Sequence, residues 1–107
     1  MSLYKTVIGT TGNAYVTILD WLPDRMADKL LLLTNSGGSN HLKYRIRAYP
    51  AVDGANYVEL WAETELDDGD TQPFLIQTPY GRVTVEVASM VVGSATTYEL
   101  QYGGHSG

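Results

Sequence analysis

Leu42-Lys43-Tyr44-Arg45-Ile46-Arg47-Ala48-Tyr49, answered by Tyr57-Val58-Glu59-Leu60-Trp61-Ala62-Glu63, decides how this chain folds. Both runs alternate with period two, the mark of a half-buried strand with polar groups on one side and apolar groups on the other. Between them lies the turn-rich Pro50-Ala51-Val52-Asp53-Gly54-Ala55-Asn56. An antiparallel hairpin centred near Asp53 sets Arg47 against Glu59, Arg45 against Trp61 and Lys43 against Glu63. Tyr49 then meets Tyr57 on that same face, and Ile46/Leu60 and Ala48/Val58 pair on the other. Both faces agree on one register, as a specified hairpin requires. The non-core face carries a Trp and two Tyr framed by charges. It reads as a binding surface, and nothing on it reads as a catalyst.

Outward from this hairpin the same period recurs. Leu3–Ile8 and Ala14–Leu19 read as the first two strands, and Lys29–Thr34 as the third. Runs at 73–77, 82–88 and 97–102 follow the hairpin. Pro23 and Asp24 suit a single helical turn within Asp20–Asp28, a stretch too short for a real helix. About eight short strands at spacings of roughly 8–12 residues predict an all-β, single antiparallel β-sandwich, jelly-roll or Ig-like, with a small β-barrel as the alternative. The 107 residues form one domain (1–107). Residues 1–28 are either core strands or partly an N-terminal arm, and 103–107 read as a flexible tail. Pairing of 29–34 with 42–49 across Ser36–Asn40 would put two of the leucines Leu30–Leu33 on the outer face. That face would then show Leu, Arg, Trp and Tyr side by side, a patch that needs a cover.

Composition narrows the function. A domain of this size buries roughly 60–65% of its unfolded surface, enough for a core without staples. There is no cysteine, which removes thiolate catalysis and disulfides. Eight Tyr with many Val and Thr, and eleven Gly as punctuation, favour strands and tight turns. The net charge of −5 argues against non-specific nucleic-acid binding, which depends on neutralising phosphates. The longest apolar run, Leu30–Leu33, is far short of the ~20 residues that span a bilayer. The start of the chain lacks the apolar core of a signal peptide, so the expectation is neither membrane insertion nor secretion by that route.

Candidate chemistry is sparse. The two histidines are His41, beside a Gly-rich loop, and His105, and no G-x-S-x-G elbow is present. His41 with a nearby carboxylate is the one enzyme reading, set against a solvent-exposed histidine at a hairpin edge, which is preferred; no catalytic residue is assigned. Asp67-Asp68-Gly69-Asp70, with Glu63 and Glu65 upstream, lacks the alternating oxygens and twelfth-position Glu of an EF-hand, so it reads as an acidic turn; no metal or other cofactor is expected. A nucleic-acid platform on Lys43, Arg45 and Arg47 is undercut by Glu59 and Glu63 opposite them.

Two binding readings remain. Trp61, Tyr49, Tyr57, Arg45 and Glu59 could stack on and hydrogen-bond a glycan, as in a carbohydrate-binding or adhesin-like module. The protein-interface reading explains more, since Trp, Tyr and Arg are the residue types enriched at hot spots. Six of the twelve acidic residues lie between Glu59 and Asp70, and three of the seven basic ones between Lys43 and Arg47. Such segregation steers head-to-tail contacts. Plain cross-strand pairing accounts for Arg47/Glu59 and Lys43/Glu63 but leaves Trp61 and the surplus carboxylates over. The predicted interface is therefore Lys43, Arg45, Arg47, Tyr49, Tyr57, Glu59, Trp61, Glu63, Glu65 and Asp68.

From Lys29 onward the chain has a recognisable pattern. A Leu-rich strand ends in Thr34-Asn35-Ser36-Gly37-Gly38; then come the alternating 42–48 run, the acidic turn 67–70 before Phe74, the 83–88 strand and the closing Thr97-Tyr98-Glu99-Leu100. This resembles small all-β accessory proteins of tailed bacteriophage particles, which decorate or cement the head shell, and related virion sandwich domains. The resemblance implies a non-enzymatic virion structural protein, a capsid decoration or stabilising subunit. Its implied partners are copies of itself, a trimer favoured, and a major virion shell protein. It implies no nucleic-acid or membrane partner and places the chain in the virion, and in the host cytoplasm during assembly.

Overall fold

The computed structural model describes residues 3–23, 28–51, 53–78 and 80–105. Eight strands follow one another: β1 (Leu3–Thr10), β2 (Val16–Trp21), β3 (Asp28–Asn35), β4 (Leu42–Tyr49), β5 (Val58–Leu66), β6 (Thr71–Ile76), β7 (Arg82–Ser89) and β8 (Thr97–His105). They form two four-stranded antiparallel sheets. Sheet A runs β1-β8-β3-β6 and sheet B runs β2-β7-β4-β5. The pairs β1:β8, β2:β7, β3:β6 and β4:β5 are nested, as if one long hairpin with its turn between β4 and β5 had been rolled up. The contacts β3:β8 and β4:β7 close the roll. That connectivity is a jelly roll, which settles the choice between the two predicted sandwiches and sets the barrel aside.

Two expectations change, and one alternative left open is decided over the described residues. β3 and β4 do not pair, because the chain crosses from sheet A to sheet B between them. Leu30 and Leu32 therefore lie on the outer face of one sheet while the arginines lie on the other. Both β1 and β2 are sheet members, so 1–28 is no detached arm over its described residues. β8 continues through Gly103 and Gly104 to His105, paired with β1 and β3, where a tail was expected. The helical turn expected in 20–28 falls partly on residues 24–27, outside the described residues; Trp21 ends a strand.

The two inner faces make the core. β3 alternates strictly, with Leu31 and Leu33 fully buried and Leu30 and Leu32 half-buried. Phe74, Ile76, Tyr98 and Leu100 complete the inner face of sheet A. Val83, Val85 and Val87 of β7 and Leu42, Tyr44, Ile46 and Ala48 of β4 meet them from sheet B. Edge-to-face aromatic contacts stitch the layers at both sides. Trp21 meets Tyr102 at 5.3 Å, Tyr44 meets Phe74 at 5.3 Å, and Trp61 meets Phe74 at 4.7 Å. Such pairs contribute ~0.5–1.5 kcal/mol each beyond area burial.

Two polar side chains sit on the same inner face of β3. Lys29 is buried there, and desolvation pulls its pKa down against the raising influence of Asp28. Asn35 is fully buried at the other end of the strand and fastens three connections. Its amide nitrogen donates to the carbonyls of Asn40 (2.9 Å) and Leu66 (3.1 Å). Its oxygen accepts from Gly37 N (3.2 Å) and Thr96 Oγ1 (2.8 Å). A Cβ on Gly37 would collide with the Thr96 side chain, so only glycine lets the loop approach this hub. Gly69 turns the β5–β6 connection with φ 79°, in the left-handed region.

Candidate functional site

The outer face of sheet B is built from β4 outward. Inward Leu42, Tyr44, Ile46 and Ala48 oblige Lys43, Arg45, Arg47 and Tyr49 to face out, as the alternation predicts. β7 supplies Glu86 opposite Arg45, and Arg82 opposite Tyr49. Arg45 grips Glu86 with two hydrogen bonds, Nε to Oε2 at 3.1 Å and Nη2 to Oε1 at 3.0 Å. Arg47 donates from Nε to Glu59 at 3.0 Å and reaches Glu86 from Nη1 at 3.6 Å. Arg82 pairs with Asp20 at 2.7 Å and Lys43 with Glu63 at 3.5 Å.

Tyrosine rings interleave with these cations. The Arg45 guanidinium lies 4.0 Å from the centroid of Tyr15, Arg47 lies 4.2 Å from Tyr57, and Arg82 lies 4.6 Å from Tyr49. Tyr49 and Tyr57 themselves are 5.7 Å apart. The Tyr15 hydroxyl donates to Glu63 at 2.7 Å. Burial first, and that carboxylate second, hold its phenol strongly protonated, while the same bond keeps Glu63 below the usual carboxylate range. Each cation of this ladder has a partner on its own chain. Side-chain exposure is 19% for Arg47, 26% for Arg45 and 14% for Glu86, so these charges are partly desolvated and their geometry is fixed.

One predicted residue is not there. The hairpin begins as expected, with Ala48 opposite Val58 and Arg47 opposite Glu59, and Tyr57 beside Tyr49. Register shifts then fall on either side of Ile46, which pairs with Trp61. By Tyr44 the partner is Thr64, and Lys43 and Leu42 pair with Glu65 and Leu66. β5 thus gains one residue at each of two bulges flanking Trp61. The indole turns inward against Phe74, and Arg45 faces no Trp. Trp61 closes the sandwich edge between β5 and β6 instead of standing on the outer face. The expected Ile46/Leu60 pair is lost to the same shift. Lys43 still reaches Glu63, although its register partner is Glu65.

Glu65 and Asp68 form a separate cluster around His41. Its Nδ1 lies 2.8 Å from Glu65 and 3.3 Å from Asp67, and its Nε2 lies 3.5 Å from Asp68. The hydrogen bond to Glu65 raises the imidazole pKa, helped by the charges of Asp67 and Asp68. With carboxylates near both nitrogens, the ring is a clip between the β3–β4 loop and the acidic end of β5 and its following turn, strongest when the imidazole is protonated. The Nδ1 atom with one oxygen each from Glu65 and Asp67 lies within a 4.8 Å span, a set that could hold a cation.

Sequence reasoning missed Tyr15, Asp20, Arg82 and Glu86, and set His41 beside a carboxylate without naming Glu65, Asp67 and Asp68. The available signal was Glu86, the one charge amid the Val83–Ala88 run, which asks for a cation on a neighbouring strand. Tyr15 and Asp20 gave no local signal.

No protein-family model matches the chain, and no curated protein is similar to it in sequence. Solved structures share its fold. A chain of the Bacillus endospore appendages, a family of disulfide-linked pili, superposes with a TM-score of 0.62 at 10% identity, over 100% of this chain and 88% of that one. The Yersinia pseudotuberculosis-derived mitogen gives 0.61 at 12% identity, over 100% and 90%. A subviral particle protein of infectious bursal disease virus gives 0.52 at 14% identity, over 100% of this chain and 33% of its own. At these identities the likeness is one of fold. Among the described residues, no helix is long and apolar enough to cross a membrane.

Proposed function

We propose that the chain is a non-enzymatic structural subunit that works by binding other protein surfaces in an assembly, of the virion head-decoration kind. The observation that carries this reading is the cation–tyrosine ladder on the outer face of sheet B. Arg and Tyr are the types that anchor interfaces, and here they are fixed before any partner arrives, which lowers the ordering cost of binding. Lys43, Arg45, Arg47, Tyr49, Tyr57, Glu59 and Glu63 form the contact face, joined by Tyr15, Arg82 and Glu86. Glu65 and Asp68 contribute an acidic rim at the His41 end. Tyr57 (46% exposed) and the neighbouring Val58 (46%) offer the apolar footing at its edge. The pilus and subviral-particle neighbours build assemblies on the same fold, which supports the reading by analogy. Having no cysteine, this chain would associate without the disulfide links of the pili.

A shell protein and further copies of the chain are the proposed partners. Many modest contacts suffice in an assembly, because avidity multiplies them. The glycan reading is weaker than the sequence suggested. Trp61 is turned inward, and Tyr15, Tyr49 and Tyr57 each have a guanidinium against one side of the ring, which leaves less aromatic surface for a sugar.

Multi-angle light scattering of the full chain across a micromolar dilution series tests the proposal. A species above the monomer, the trimer expected from sequence or another, supports it. A strict monomer whose fluorescence shifts with added glycan would replace it with the carbohydrate reading.

A further inference from the structure

A β-sandwich of this kind has four edge strands, and bare edges invite pairing with other chains, so proteins protect them. β6 carries Pro73 at its middle, where no N–H can be offered. β2 is bulged between Thr17 and Leu19 and bears Asp20. β5 has two bulges and three glutamates, Glu59, Glu63 and Glu65. β1 has no proline, bulge or carboxylate. It pairs with β8 without interruption from Leu3↔Gly104 to Thr10↔Thr97, and Lys5 is its single charge.

The surface beside β1 is equally open. By alternation, the outer face of sheet A presents Thr6, Ile8 and Thr10 on β1, Leu30, Leu32 and Thr34 on β3, and Thr71, Pro73 and Leu75 on β6. Ile8 is 71% exposed and Leu75 is 55% exposed. Acidic groups enter this face at Glu99 and, at its end, Asp28. In a chain of net charge −5, an edge free of carboxylates is where two copies can approach without repulsion.

We infer that β1 is a self-association edge, at which the β1 strand of a second copy adds antiparallel across a two-fold axis normal to the sheet. This rests on the assembly reading above and specifies one of its contacts. In such a pair, residues of equal parity stand opposite each other. Centred on Val7, Lys5 faces Gly9 of the second copy and Ile8 faces Thr6; centred on Thr6, Lys5 faces Val7. Neither centring opposes lysine to lysine, whereas centring on Lys5 would, so charge favours these two registers. Backbone hydrogen bonds join the two copies into one continuous sheet with a shared Thr/Leu/Ile outer face, and the contact is isologous and closes on itself.

The test is sedimentation velocity of the full chain, wild type against Ile8→Lys and Thr6→Lys, together with amide hydrogen exchange at high and low protein concentration. Both positions are exposed, so unchanged thermal melting is expected to confirm that each variant folds. The expected result is association weakened by about tenfold or more in both variants, with concentration-dependent protection centred on β1 in the wild type. If the wild type associates but both lysine variants associate equally, and Tyr57→Ala weakens it instead, the β1 contact is overturned while the assembly reading stands on sheet B. A wild type that stays monomeric at every concentration overturns both.

Discussion

Replacing Asn35 with alanine is expected to be the most damaging polar truncation in this protein. The side chain is fully buried and makes four hydrogen bonds, two as donor and two as acceptor. At a net ~1 kcal/mol each, their loss amounts to ~4 kcal/mol. Water can reach the part-buried Asn40 and Gly37 groups, which trims the figure to ~3 kcal/mol. The Leu66 carbonyl and the Thr96 hydroxyl lie deeper and stay unsatisfied. A domain of this size has a total stability of ~5–15 kcal/mol, so the variant loses a large share of it. Urea unfolding followed by tryptophan fluorescence should show a lower midpoint at unchanged slope, and melting should fall by about 12 °C or more. Asn35→Asp keeps both acceptors but aims a carboxylate at two carbonyl oxygens, so it should be at least as costly. A loss below ~1 kcal/mol for alanine, or an aspartate variant as stable as wild type, would refute the claim that this amide holds the loop end together.

Further outcomes follow from particular contacts. Trp61→Ala should destabilise the fold by ~2–3 kcal/mol in denaturant titration, since a half-buried indole leaves Phe74 uncovered, while self-association of the folded fraction stays unchanged. Thr84→Val should raise the unfolding midpoint by ~1 kcal/mol, because the Thr84 hydroxyl is buried without a hydrogen-bond partner among the described residues. His41 predicts a pH effect: its folded-state pKa is raised above 6.5, so its stabilising pairing is fully present below that value and is lost as pH rises through the folded pKa. Glu65 on β5 and Asp67 and Asp68 in the following turn are the groups facing it. Thermal melts across neutral pH should decline for wild type and lose that slope in His41→Ala, and salt should shrink the difference.

Much of this was readable because period-two alternation is a local signal. Each predicted strand exists, though the boundaries moved by a few residues, and the hairpin register holds at Ala48/Val58 and Arg47/Glu59. The same reading fails at the next residue, Ile46, since a bulge inserts a residue on β5 that the polar–apolar alternation does not announce. The usable hint was Leu66, which finds an apolar partner in Leu42 only after β5 has slipped by two. The false pairing of β3 with β4 has a different origin. Asn35-Ser36-Gly37-Gly38-Ser39-Asn40 has hairpin composition, yet here the glycines admit a loop onto the Asn35 hub while the chain changes sheets. Half of the ladder was hidden because Tyr15 and Glu86 reach β4 from distant parts of the chain, and strand order is not written in any one segment.

The rolled-up connectivity has a cost in time. β8 is threaded between β1 and β3, so the first of the eight strands has its one sheet neighbour in the last. Pairings so remote in sequence demand a late, entropically expensive closure, which makes for slow maturation. During that delay β1 has neither of its sides covered, and nascent chains at high concentration can capture one another there before each has captured its own β8. Synthesis rate, more than final stability, should therefore govern how much of this protein reaches its native form.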